Sequence, residues 1–164
     1  MINEGLEFIT VTLNNYLKTL FQLVEDRVVL SNLVNADGSL PHTINDKIVV
    51  CLLNIDQGSN TKNVGFSKTA QTDKQSLNMS LEVLFAANFT DYNESLKFIS
   101  TTLSFFQNNL VFQKTNYPNF PKNADKLDLE LINLSPEDTN YIWSTLGAKY
   151  MPSLMYKIKL TAAN

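Results

Sequence analysis

Apolar residues recur at spacings of three and four from the start of the chain: Leu6, Ile9, Leu13, Leu17, Leu20 and Val24 fall on one stripe of an amphipathic helix. The pattern predicts a first helix from about Ile2 to Leu23, with Asn3, Glu7, Thr10, Asn14 and Lys18 on the side that meets water or a partner. Beyond it, "VVLSNLV" is short and β-branched, the makings of a strand, and "NADGSLPHT" supplies Asp37-Gly38 and Pro41 as turn residues. "KIVVCLLNID" is an almost unbroken apolar run of strand length, the mark of a mid-sheet strand covered on both faces. From Gln57 to about Gln75 the chain turns polar, with Gly58, Gly65 and only Val64 and Phe66 as isolated apolar residues. Such a stretch is too long for a simple connection and has the character of a functional loop or projecting hairpin.

Period two returns in "LNMSLEVLFAANF", where Leu77, Met79, Leu81, Val83 and Phe85 alternate with Asn78, Ser80 and Glu82 before the run becomes apolar on both faces. A second helix comes next in "TDYNESLKFISTTLSFFQNN", with Thr90 or Asp91 as N-cap and a repeat through Leu96, Ile99, Leu103 and Phe106. "LVFQ" reads as a brief strand, Pro118 and Pro121 as an irregular connection, and "KLDLELINL" as a strand with Leu127, Leu129 and Leu131 inward. In "SPED", Ser135 caps a third helix with Pro136 at its first position; that helix stops near Gly147, and "PSLMYKIKL" closes the chain as a strand. The order α-β-β-β-α-β-β-α-β predicts one α+β domain over residues 1–164: a single mixed, mostly antiparallel sheet with helices packed on one face.

Composition agrees with a packed domain. At 164 residues, 44% hydrophobic and 18% charged, the chain buries a core without disulfides or metals. The net charge of -3, the pI near 5.1 and a single arginine, Arg27, argue against nucleic acid, whose binding rests on Lys and Arg at phosphates. The lone Cys51 lies in an apolar run, which fits a reducing compartment. The N-terminus has no basic leader pattern, and no stretch approaches the ~20 apolar residues of a membrane span, so synthesis and residence in the cytoplasm are expected. In that setting the Asn-x-Ser/Thr triplets at Asn78, Asn88, Asn93 and Asn133 carry no meaning.

The chain offers little to catalyse with. Its one histidine, His42, falls in a turn-rich loop, and Cys51 in a buried strand, so a Cys-His pair is not expected. Two Cys or His residues cannot build a four-ligand zinc site, "NADGS" lacks the remainder of a calcium loop, and "LGAK" lacks the glycines of a phosphate loop. Asp128 and Glu130 share a strand face, which a solvated surface explains. No cofactor is expected. One positive feature remains: Phe98 and Phe105, seven residues apart, form a line on the second helix well away from the Leu96, Ile99, Leu103 and Phe106 stripe. Either the core face of that helix is wide, or the phenylalanines meet another subunit.

The segments "LNNYLKTLF", "VVLSNLVNADG", "LEVLFAANFTDYNESLKFISTTLSFFQNNLVF" and "INLSPEDTNYIWSTLGAKYMPSLMYKIKL" resemble a small family of unknown function encoded in contractile injection system clusters, relatives of phage tail terminators. The similarity runs from about Leu6 to Leu160 and is most specific from Trp143 to Ser153, as "W-x-x-L-G-A-K-Y-x-P-S". It implies a structural ring, usually of six subunits, seated on the last layer of inner tube and contractile sheath and ending their polymerisation. Ending at Asn164, the chain is expected to be a minimal form without the extra C-terminal part of longer relatives. Beside this cap role stand a cap adaptor or assembly chaperone of the same particle, and, third, a hydrolase with scattered carboxylates. By position rather than by family motif, contacts are expected from Val64, Phe66 and Lys68, from Phe98 and Phe105, and from Lys149 and Tyr150.

Overall fold

The computed structural model describes residues 1–57 and 78–162. Six strands form one sheet in the order β1-β2-β3-β6-β5-β4: β1 (Val28–Leu30), β2 (Lys47–Gln57), β3 (Asn78–Asn88), β4 (Val111–Gln113), β5 (Ala124–Ile132) and β6 (Ser153–Ala162). Every neighbouring pair is antiparallel except β1 with β2. Three helices complete the fold: α1 (Ile2–Phe21), α2 (Tyr92–Asn108) and α3 (Pro136–Leu146). All the expected strands and helices form, and the α+β class with a mostly antiparallel mixed sheet holds. The apolar run in β2 is interior, as expected, but stands one strand from the edge; the middle of the sheet is β3 and β6.

One expectation changes. Helices α1 and α2 share a face, packing Leu6, Ile9, Leu13, Leu17, Phe98 and Phe106 onto Ile48, Val50, Val83, Phe85, Tyr156 and Ile158. Helix α3 lies on the opposite face, where Trp143 packs with Val49, Cys51, Leu84, Ala86 and Met155. The reason is the pleat: strand residues point alternately to the two faces, and β2 and β3 are apolar at both parities, so a bare second face would leave Val49, Leu84 and Ala86 in water.

Helix α1 lies close on the sheet because Gly5 has no side chain there; a Cβ at that position would come within 3.1 Å of Leu160 Cδ1. Its predicted stripe stops early. Gln22 ends the helix at φ 53, the chain turns away, and Val24 is left 92% exposed. Two residues assigned to the polar side are buried instead: Thr10 donates to the Leu6 carbonyl at 2.7 Å, and Asn14 points at the start of β1.

Local signals set the ends of the other helices. Asp91 caps α2, its carboxylate accepting from Asn93 N at 2.8 Å. Ser135 Oγ accepts from Asp138 N at 3.1 Å at the start of α3, and Gly147 closes that helix at φ 67. A side chain at that left-handed position costs about 1–2 kcal/mol. Gly147→Ala is therefore expected to lower Tm by roughly 2–8 °C with the fold retained; an unchanged thermal midpoint would mean the αL stop is not needed.

Candidate interaction surface

The two sides of the sheet are incompletely paired. β1 covers only Ile48–Val50 of β2, so among the described residues Leu52–Gln57 has no strand on that side. β4 covers Lys126–Asp128 of β5, and Leu129 N donates to the Leu110 carbonyl at 2.8 Å, which leaves Glu130–Ile132 open on that side among the described residues. Open edges present unpaired N–H and C=O groups that can receive another chain. In β2 the register jumps between Leu52 and Asn54, a bulge that re-aims the side chains of the strand's second half. There Asn54 and Asp56 share the α3 face, while Ile55, opposite Leu81, turns to the two-helix face and stays 51% exposed.

Of the two alternatives for the second stripe of α2, the wide core face is the one that forms. Phe98 and Phe105 are 2% and 6% exposed within a single subunit and cannot serve as a subunit contact. Their partner is α1, which runs antiparallel beside α2: the Phe98 ring lies 5.2 Å from Phe21 and 4.6 Å from Phe89, and Phe105 lies 4.8 Å from Tyr16. The core face of α2 is wide, taking in Ile99 and Phe106 as well. Leu96, in contrast, is exposed at its margin, as are Tyr92 on the helix and Leu110, Val111 and Leu131 by the open end of β5. Leu131 is expected inward; it pairs with Tyr156 of β6 on one side, but β4 is too short to flank it on the other.

On the opposite face α3 covers only part of the sheet. Beyond it run two cross-strand rows, Asn54–Glu82–Lys157–Glu130 and Asp56–Ser80–Lys159–Asp128. Lys159 pairs with Glu130 at 3.3 Å and Lys126 with Asp128 at 2.8 Å. Pairs this exposed contribute about 0–1 kcal/mol each, and the carboxylates are engaged by lysines rather than held as a catalytic pair. A groove of about 460 Å³ separates α3 from these rows, lined by Leu53, Glu82, Ile132, Tyr141 and Ile142, with Tyr141 76% exposed.

Of the residues expected to make contacts, Val64, Phe66 and Lys68 lie outside the described residues. Lys149 and Tyr150 are exposed on the segment between α3 and β6, the tyrosine ring edge-on to Trp143 at 5.6 Å. Phe98 and Phe105 sit in the core between helices, so the structure does not gather the set into one patch. Sequence reasoning missed Ile55, Leu110, Leu131 and Tyr141. Their exposure depends on which strand ends where, a signal that periodicity does not carry.

Chemically the described surface is quiet. Cys51 is buried in β2, its Sγ 3.9 Å from the Leu52 carbonyl, and burial pushes its thiol up from the usual range, away from the reactive thiolate. His42 is exposed in the 3₁₀ turn His42–Ile44. Among the described residues no group of three His, Cys, Asp or Glu side chains could hold a metal ion, and no helix is long and apolar enough to cross a membrane.

Two carboxylates have structural duties. Asp46 is held below the usual range by the Thr90 backbone N–H at 2.8 Å, and Asp26 by hydrogen bonds from Asn14 and Lys18. A depressed folded-state pKa stabilises above the unfolded value of about 3.9, and that contribution disappears as pH falls through the folded value. The urea midpoint is thus expected to decline below about pH 4, and Asp46→Asn to flatten that decline. Identical acid limbs for both proteins would rule out the Asp46–Thr90 contact as a contributor.

The arrangement of sheet and helices has a counterpart among solved structures. Over 99% of this chain it matches the tube-terminating cap of the anti-feeding prophage, with a TM-score of 0.56 at 14% identity, and spans about half of that protein (54%). A looser match, TM-score 0.46 at 15% identity, covers 72% of this chain and 43% of the PVC sheath/tube terminator, from an extracellular contractile injection system in its extended state. No curated protein is a significant match. The chain belongs to the Pvc16 N-terminal domain family, which matches residues 6–164.

Proposed function

We propose that this chain acts as one cap-like domain of a contractile injection particle. Copies form a ring, six by analogy with the family, that seats on the last layer of inner tube and sheath and prevents further addition. The reading rests above all on the fold shared with a tube-terminating cap across 99% of the chain. Membership of the Pvc16 N-terminal domain family supports it. So does the described surface, whose open strand edges and exposed apolar side chains suit contact with another chain. In this reading the protein is not an enzyme, uses no cofactor and binds no nucleic acid. It is made in the cytoplasm and joins the particle there, with sheath and tube proteins as partners.

The test is to assemble tube and sheath with and without this protein. With it, labelled protein should sit at one end of each particle and lengths should be narrowly distributed; without it, lengths should spread or sheaths should be lost. Unchanged particles would refute the cap role. A protein required for assembly yet absent from finished particles would establish a chaperone instead.

A further inference from the structure

The two sides of the sheet are stepped, and the projection on one side overlaps in height with the recess on the other. On one side β1 projects beside Ile48–Val50, while among the described residues Leu52–Gln57 of β2 is recessed. On the other side β4 projects beside Lys126–Asp128, while Glu130–Ile132 of β5 is recessed. The rows of the sheet fix their relative heights. Val111 of β4 stands opposite Asp128, which continues through Lys159 and Ser80 to Asp56. The projecting β4 is therefore level with the far end of the recess on β2, Val111 in the row of Asp56 and Phe112 in the row of Gln57. Likewise Ile132 continues through Met155 and Leu84 to Cys51, one row from the last residue that β1 covers, so the recess on β5 reaches nearly to the height of β1.

Strand directions are compatible with joining the sides. From β2 to β4 the strands alternate through β3, β6 and β5, so β4 and β2 run the same way, and β1 runs opposite to β5. A parallel contact already occurs within the molecule, between β1 and β2. Each side also exposes apolar side chains. Ile55 lies in one recess, with Leu20 and Val24 at the end of α1 that leads into β1; Leu110 and Leu131 flank the other.

Building on the ring reading above, we infer that copies of this chain join head to tail through these edges, β4 of one copy entering the recess beside β2 of the next. Two different edges meet, so each copy still offers one free edge after pairing, and the contact repeats until the ring closes. Asp56 and Gln57 at the end of β2 gain a neighbouring strand, and Ile55, one row away, borders the seam.

Asp56 and Val111 share a row and the α3 face, and both are exposed, so cysteines there leave the core untouched. Native Cys51 is buried and does not compete. The experiment mixes purified Asp56→Cys and Val111→Cys chains under mild oxidation, alone and in particles, with Gln113→Cys as a second register. Expected are disulfide-linked dimers only in the mixtures, and a ladder ending at the ring size in a double variant. Ile55→Lys should weaken self-association about tenfold or more while Tm stays unchanged. Asp56→Cys chains that link to one another, or an oligomer giving no link in either register, would overturn the edge assignment and leave the ring intact. A chain that is monomeric in solution and in particles would overturn the ring as well.

Discussion

Replacing Phe98 and Phe105 together by aspartate should abolish the cooperative urea transition of this protein. Both rings are buried between α1, α2 and the sheet, at 2% and 6% exposure; Phe98 packs with Phe21 and Phe89, and Phe105 with Tyr16 and Phe106. Truncating one buried phenylalanine to alanine costs about 3–5 kcal/mol, against a total stability of about 5–15 kcal/mol for a natural domain. Two such losses, with two carboxylates left in an apolar layer, exceed what a chain of this size can absorb. The milder Phe105→Ala should fold, with its urea midpoint displaced by that single-residue cost. If the double aspartate variant were a folded monomer with the wild-type midpoint, the packing of α2 against α1 would be wrong.

The second large effect is expected at Asn14. Its Oδ1 accepts from Arg27 N at 2.8 Å and Val28 N at 3.2 Å, while its Nδ2 donates to Asp26 Oδ1 at 2.7 Å. One side chain in the middle of α1 thereby satisfies the first backbone groups of the edge strand β1. Asn14→Leu keeps the volume and removes the acceptor. Each buried donor left without a partner costs about 1–3 kcal/mol, and here one is buried and one half-buried, so a loss of roughly 2–4 kcal/mol is expected. Hydrogen exchange should accelerate at Val28–Leu30 more than in β3 or β6. The exposed neighbour Asn15 provides the control: Asn15→Leu should stay within about 0.5 kcal/mol of wild type. Equal effects at the two positions would show that the tether contributes nothing.

These two positions also mark where the sequence could be read and where it could not. Asn14 falls on the polar side of the α1 repeat, and nothing in the repeat distinguishes it from Asn15. It is buried because β1, fourteen residues away, brings two N–H groups to it. On α2 the repeat leaves open whether the phenylalanine line widens the core face or meets another subunit. Helix α1 decided it: Phe21 and Tyr16 meet Phe98 and Phe105, which join Ile99 and Phe106 in the core and leave Leu96 at the margin. Of the contact residues expected from the sequence, Lys149 and Tyr150 are at the surface, whereas the open edges at Leu52–Gln57 and Glu130–Ile132 had no signature at all.

By itself the sequence determined what depends on neighbours a few residues apart. The three helices, a cap at Ser135 and one at Thr90 or Asp91, the stop at Gly147, the six strands and the α+β class all derive from spacing and turn chemistry. The tertiary structure alone decided that the last strand, β6, enters the middle of the sheet, that α3 crosses to the other face, and that β1 and β4 stop short of their neighbours. Those outcomes depend on pairings between segments far apart in the chain, where the free energy of burying one face against another, rather than local propensity, selects the partner.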